Sequence, residues 1–154
     1  IKTLAVYSGS LGLAGGQYSD LTYEKKKISK KKIINIQTNK TGKLFSFCCE
    51  SAGIIKGFNY EKRSKLKKIG LDIGLLFQIT DDLIDHKGDY KIVGKPTGRD
   101  KSKGKQTLIN HLGYKNTLFF VNNLKKKISK NIKKYGIKSH DLLQSVEFIL
   151  DRKF

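Results

Sequence analysis

Apolar positions recur along much of this chain at spacings of three and four. The clearest run is Leu66, Ile69, Ile73, Leu76, Phe77, Thr80, Leu83 and Ile84, a pattern that places one buried stripe along a helix. Asn59 is suited to cap its start and Gly88 to end it. A second helix is predicted from about Lys31 through Ala52, stopped by Gly53, with Ile33, Ile34, Leu44, Phe45, Phe47 and Cys48 as its apolar side chains. A third is predicted over Lys115 to Tyr135, stopped by Gly136, and a fourth from Ser139 to Asp151. The opening stretch, Ile1 to Tyr18, is apolar and interrupted by Gly9, Gly12, Gly15 and Gly16. Glycine at that spacing permits close helix contact while weakening the helix itself. No alternating β-branched run with a hairpin turn is present. The fold class read from this pattern is all-α, a helical bundle. His86 to Gly104, with five residues of Gly or Pro, reads as a functional loop behind the Leu66–Asp85 helix.

Length and composition narrow the choices. The 154 residues suffice for one domain. No apolar run approaches the roughly 18–20 residues of a membrane span, and no signal pattern opens the chain, so a cytoplasmic protein with no membrane span is expected. The sequence contains no Met and begins with Ile1. The expectation drawn from this is that residues are missing upstream, or that the chain is a natural split subunit. The net charge of +19 suggests polyanion binding. Of the 32 basic residues, however, only Arg63, Arg99 and Arg152 are Arg. Base readers favour Arg for its bidentate fork, so no specific nucleic-acid partner is expected. Cys48 and Cys49 are adjacent, and His86, His111 and His140 are scattered, so no zinc site follows from spacing.

The acidic residues are distributed unevenly. Four of the 13 fall between Asp81 and Asp89, in a run that begins Asp81-Asp82-Leu83-Ile84-Asp85. On a helix, Asp81 and Asp85 lie one turn apart and repel. They also sit near a C-terminus, where negative charge is disfavoured. A divalent cation would compensate, and so would nearby lysines or simple solvation. Mg²⁺ takes one or two carboxylates and shares its remaining positions with water and phosphate. Lys95 and Lys105 flank the Gly-rich loop that follows, as a diphosphate–Mg²⁺ complex would require. Neither Gly-Lys pair has Walker A spacing. Lys40-Thr41-Gly42 interrupts a helical pattern, where it is either a mild bend or an exposed carbonyl beside a Lys and a hydroxyl. Gln78 shares the helix face of the acids and needs a partner if buried.

Taken together, Gly15-Gly16-Gln17 with Asp20, Lys40-Thr41-Gly42, Phe77-Gln78 through Asp85, Gly88-Asp89, Gly94-Lys95 and Gly104-Lys105-Gln106-Thr107 resemble the trans-polyprenyl diphosphate synthases, most closely the bacterial farnesyl type. The resemblance implies an isoprenoid synthase fold and a Mg²⁺-dependent prenyl transfer. An allylic diphosphate, dimethylallyl or geranyl, would be condensed with isopentenyl diphosphate to give farnesyl diphosphate. It implies that Asp81, Asp82 and Asp85 hold Mg²⁺, with Asp81 the direct ligand. It also implies that Lys40, Lys95 and Lys105 grip the allylic diphosphate with Asp100 assisting, that Thr41 and Gln78 face the carbocation, and that Arg152-Lys153 approach isopentenyl diphosphate. The full enzyme would be a homodimer.

The family's first aspartate-rich motif and most of its isopentenyl diphosphate site have no counterpart here. Residues 1–154 therefore read as the C-terminal portion of a single polyprenyl synthetase domain, inactive alone. The alternatives are a non-catalytic or split subunit needing a partner, and a Lys-rich helical protein that binds polyanions.

Overall fold

The computed structural model describes residues 1–87, 100 and 104–151. Among these residues every regular element is helical. The longest, here numbered in chain order, is α5 (Tyr60–Lys87). It starts where the sequence indicates, since the Asn59 side chain accepts a hydrogen bond from the Lys62 amide at 3.0 Å. The expected stop, Gly88, lies outside the described residues.

α5 is the axis of the molecule. Leu76, Ile79 and Leu83 are wholly buried on it, each contributing about 1.5–3 kcal/mol by leaving water. Around it pack α4 (Lys43–Ile55), α7 (Tyr114–Lys133) and α8 (His140–Asp151). α7 turns one stripe inward, Thr117, Val121, Leu124, Ile128 and Ile132. α8 adds Val146 and Ile149 to the same core.

Several boundaries differ from expectation. The opening segment is two helices, α1 (Lys2–Ser8) and α2 (Leu13–Thr22), separated by the glycine-containing turn. The second predicted helix is α3 (Lys30–Gln37), a wider π-wound turn over Thr38–Gly42, and then α4. Gly53 does not stop α4, which continues to Ile55. A side chain at 53 would lie 2.9 Å from Leu66 Cδ1, so the glycine serves packing against α5. Gly136, at φ +72°, does end the α7 region, in a conformation that suits glycine. Ser139 sits in a tight turn before α8, and its hydroxyl donates to the Gly136 carbonyl at 2.6 Å rather than accepting from a helix amide. A short helix that the pattern did not reveal, α6 (Leu108–Leu112), is capped by Thr107.

Candidate active site

Glycines bring three segments to one place. Gly16 of α2 lies so close to the π turn that a side chain there would meet the Lys40 amide nitrogen at 2.2 Å. On the opposite side, a side chain at Gly74 of α5 would meet Gly42 Cα at 2.5 Å. The Lys40-Thr41-Gly42 turn is thereby held between α2 and α5. A π turn takes more residues to complete than an α turn does, which shifts the faces that the positions in and after it present. Gln37 and Thr41 meet α5, while Lys40 meets α2.

From this turn a continuous polar chain runs into α5. The Thr41 hydroxyl donates to Gln78 Oε1 at 2.9 Å. Gln78 Nε2 donates to Asp82 Oδ1 at 2.9 Å. The other oxygen of Asp82 accepts from Gln37 Nε2 at 2.6 Å. Asp82 is buried. Burial pushes its carboxyl up to about 7, the Gln78 hydrogen bond works against the rise, Asp100 adds to it and Lys40 opposes it.

Two lysines face this acidic region, each on a carboxylate. Lys40 Nζ lies 2.9 Å from Asp20 Oδ2, with side chains only 11% and 15% exposed. Lys105 Nζ lies 3.0 Å from Asp100 Oδ1. Burial works against the charge of Lys105, but the Asp100 hydrogen bond and the charges of Asp100, Asp20 and Asp82 outweigh it and hold its pKa above the ordinary value. The Asp100 amide in turn donates to Asp85 Oδ2 at 2.9 Å, and the Lys105 amide to the Asp100 carbonyl at 2.9 Å. Lys25, in the left-handed region at φ 61°, donates its amide to the Gly104 carbonyl at 2.8 Å. The Lys105 segment is thus tied to both α5 and the loop after α2.

The structure brings Lys40, Thr41, Gln78, Asp82, Asp85 and Lys105 into this linked set, with Asp81 half-buried one turn before Asp85. Lys95, Arg152 and Lys153 lie outside the described residues. Among the described residues no group of three or more His, Cys, Asp or Glu side chains is placed to hold a metal ion. The expected grouping of Asp82 with the metal carboxylates meets a competing arrangement, since both its oxygens already accept amide hydrogens. Asp81 and Asp85 are hard oxygen donors on adjacent turns, and Asp85 Oδ2 also accepts the Asp100 amide. That set fits Mg²⁺, which uses one or two carboxylates and completes its octahedron with water and phosphate.

Sequence reasoning gave no role to Asp20 and passed over Gln37. The signal for Gln37 was available: it stands one turn after the buried Ile33, on the inward face of α3. Its Oε1 is buried without a hydrogen-bond partner.

The polyprenyl synthetase family model matches residues 4–146. A farnesyl diphosphate synthase of Micrococcus luteus is 38% identical over 113 residues, covering 73% of this chain and 39% of its own length. An FPP/GFPP synthase structure from Zymomonas mobilis aligns with a TM-score of 0.80 at 32% identity, over 97% of this chain and 49% of that one. A geranyltransferase structure from Helicobacter pylori, complexed with magnesium and isoprenyl diphosphate, aligns at 0.81 and 26% identity, with 97% and 49% covered. The chain spans about two fifths of the length of the curated relatives it matches. Among the described residues no helix is long and apolar enough to cross a membrane.

Proposed function

The chain belongs to the polyprenyl synthetase family, and from that premise we propose that it is the C-terminal half of a prenyltransferase that condenses an allylic diphosphate with isopentenyl diphosphate, giving farnesyl diphosphate. The observation that carries this reading is the Thr41–Gln78–Asp82 chain beside Lys40, at the acid-bearing end of α5.

The reaction breaks the allylic C–O bond and leaves its electron pair on diphosphate. The double bond of isopentenyl diphosphate attacks the allylic cation, and the departed diphosphate takes a proton from the new tertiary cation, whose C–H electron pair becomes the new double bond. Diphosphate departs only if its charge is met. Lys40 and Lys105, with Lys95, are assigned to its oxygens. Each of the first two waits on a carboxylate, Asp20 or Asp100, so exchanging that partner for phosphate needs no new charge in the site. Asp81 and Asp85 would hold Mg²⁺, which when bound supplies further charge neutralisation to the leaving group. Thr41 and Gln78 present oxygens toward the developing cation. Asp82 is assigned to fixing Gln78 and Gln37 in place rather than to the metal, because its oxygens are already engaged. Dimerisation of the full enzyme and the chemistry of isopentenyl diphosphate binding belong to the rest of a relative-sized protein. Leu4, Val6, Leu21 and Leu44, exposed on α1, α2 and α4, with Leu11 exposed in the turn between α1 and α2, offer the apolar surface that such a remainder would cover, on the same chain or on a partner.

The test is a turnover assay with geranyl diphosphate, Mg²⁺ and radiolabelled isopentenyl diphosphate. Residues 1–154 alone should give no product. Supplied with a segment carrying the earlier aspartate-rich motif, they should give farnesyl diphosphate. Turnover by the chain alone would contradict the assignment as a half enzyme, and longer products would contradict the farnesyl assignment.

A further inference from the structure

We propose that the end of α5 remote from the acids carries a second anion site, a cleft that takes a single-chain amphiphile with a phosphate head. About 16 residues of helix, at 1.5 Å each, separate Lys65 from Asp81, so the cleft lies about 24 Å from the acidic end. Its volume is about 540 Å³, within the range of roughly 300–1,000 Å³ typical of small-molecule sites.

The cleft lies between the first turns of α5 and the last turns of α7. Phe58, Ile69 and Tyr135 give it apolar walls. Five of its nine lining residues are Lys, against 29 Lys in 154 for the chain, so general lysine richness does not account for the lining. Two of the five are occupied: Lys65 pairs with Glu61 at 2.6 Å and Lys127 with Asp72 at 2.7 Å. Lys62, Lys68 and Lys134 have no carboxylate partner among the described residues. Lys62 rests on the Phe58 ring, 5.4 Å from its centroid, and Lys134 meets only the Asn131 amide oxygen at 3.2 Å. Three cations that form no ion pair among the described residues, around an apolar hollow, match an anionic head on an apolar body. Neither half alone would suffice, since exposed lysines are hydrated and screened, and an apolar hollow by itself does not select an anionic head from a neutral one. This site stands apart from the chemistry assigned to Asp81.

The probe is n-decyl phosphate below its micelle concentration, titrated calorimetrically into the full chain with EDTA present to suppress metal-bridged binding at the acidic end. One saturable site is expected. The triple variant Lys62→Gln, Lys68→Gln, Lys134→Gln should weaken it by about tenfold or more, each lost charge contact counting for part of that. The control Lys125→Gln, Lys126→Gln, Lys130→Gln, elsewhere on α7 and equal in charge change, should alter it by less than about twofold. Tyr135→Ala should weaken decyl phosphate several-fold without changing the response to inorganic phosphate. Circular dichroism melts confirm that the variants fold. Equal loss in both triple variants, inorganic phosphate binding as tightly as decyl phosphate, or binding to phosphatidylglycerol vesicles without binding to the monomeric probe would each overturn the proposal.

Discussion

The two ends of α5 carry comparable numbers of charged and polar side chains and treat them in opposite ways. At the Tyr60 end, the Glu61–Lys65 pair is short, 2.6 Å, yet its side chains are 65% and 73% exposed. At the Lys87 end, Asp82 and Asp85 are buried, and they are bonded from segments as distant in sequence as Gln37 and Asp100. The first arrangement is local and screened by water, and it adds little to stability. The second spends packing on holding polar groups in fixed positions. A fold tolerates that expense where geometry matters, and preorganised dipoles around a departing anion are such a case.

The largest effect expected from breaking this contrast is pH-dependent. Folded Asp82 titrates near 7, above its unfolded value. Between these two values the folded state binds the extra proton, so stability falls as pH rises from about 4 to about 7. Asp82→Asn should remove that slope and, at pH 8, gain on the order of a few kcal/mol over the parent, while differing little at pH 4. Urea unfolding across this range checks it, and parallel curves for the two proteins would contradict it.

Next in size is Gly74→Ala. The added carbon would meet Gly42 Cα at 2.5 Å, backbone against backbone, and separating α5 from the π turn should cost about 1–3 kcal/mol. Gln37→Leu follows. It removes the 2.6 Å donor to Asp82 but also a buried, unpartnered oxygen, so a net loss of about 1 kcal/mol is expected. At the other end, Glu61→Gln should leave the unfolding midpoint unchanged within error. A loss comparable to that of Gln37→Leu would erase the distinction between the two ends.

Much of this contrast was legible beforehand. The stripe from Ile69 to Leu83, the Asn59 cap and the crowding of Asp81, Asp82 and Asp85 follow from spacing and helix electrostatics, which act within a few residues. What stayed hidden depends on distance across the fold. Asp82 and Gln37 are 45 residues apart, and nothing local distinguishes a carboxylate that will receive two amides from one that faces solvent. Gly53 read as a helix stop because glycine often is one, whereas here it makes room for Leu66. Thr41-Gly42 marked a weak point without revealing that the turn widens and divides Gln37 and Thr41 from Lys40. Asp20 lacked a role until α2 came to rest on that turn.

The most direct measurement is calorimetric titration of the non-hydrolysable geranyl S-thiolodiphosphate into residues 1–154 carrying Lys62→Gln, Lys68→Gln and Lys134→Gln, which removes the remote cleft's contribution, with and without Mg²⁺, for this parent and for the same chain with Asp81→Ala. The account predicts saturable binding that strengthens at least about tenfold with Mg²⁺ in the parent and loses that enhancement in Asp81→Ala, with the melting curve unchanged. Binding that ignores both Mg²⁺ and the loss of Asp81 would contradict it.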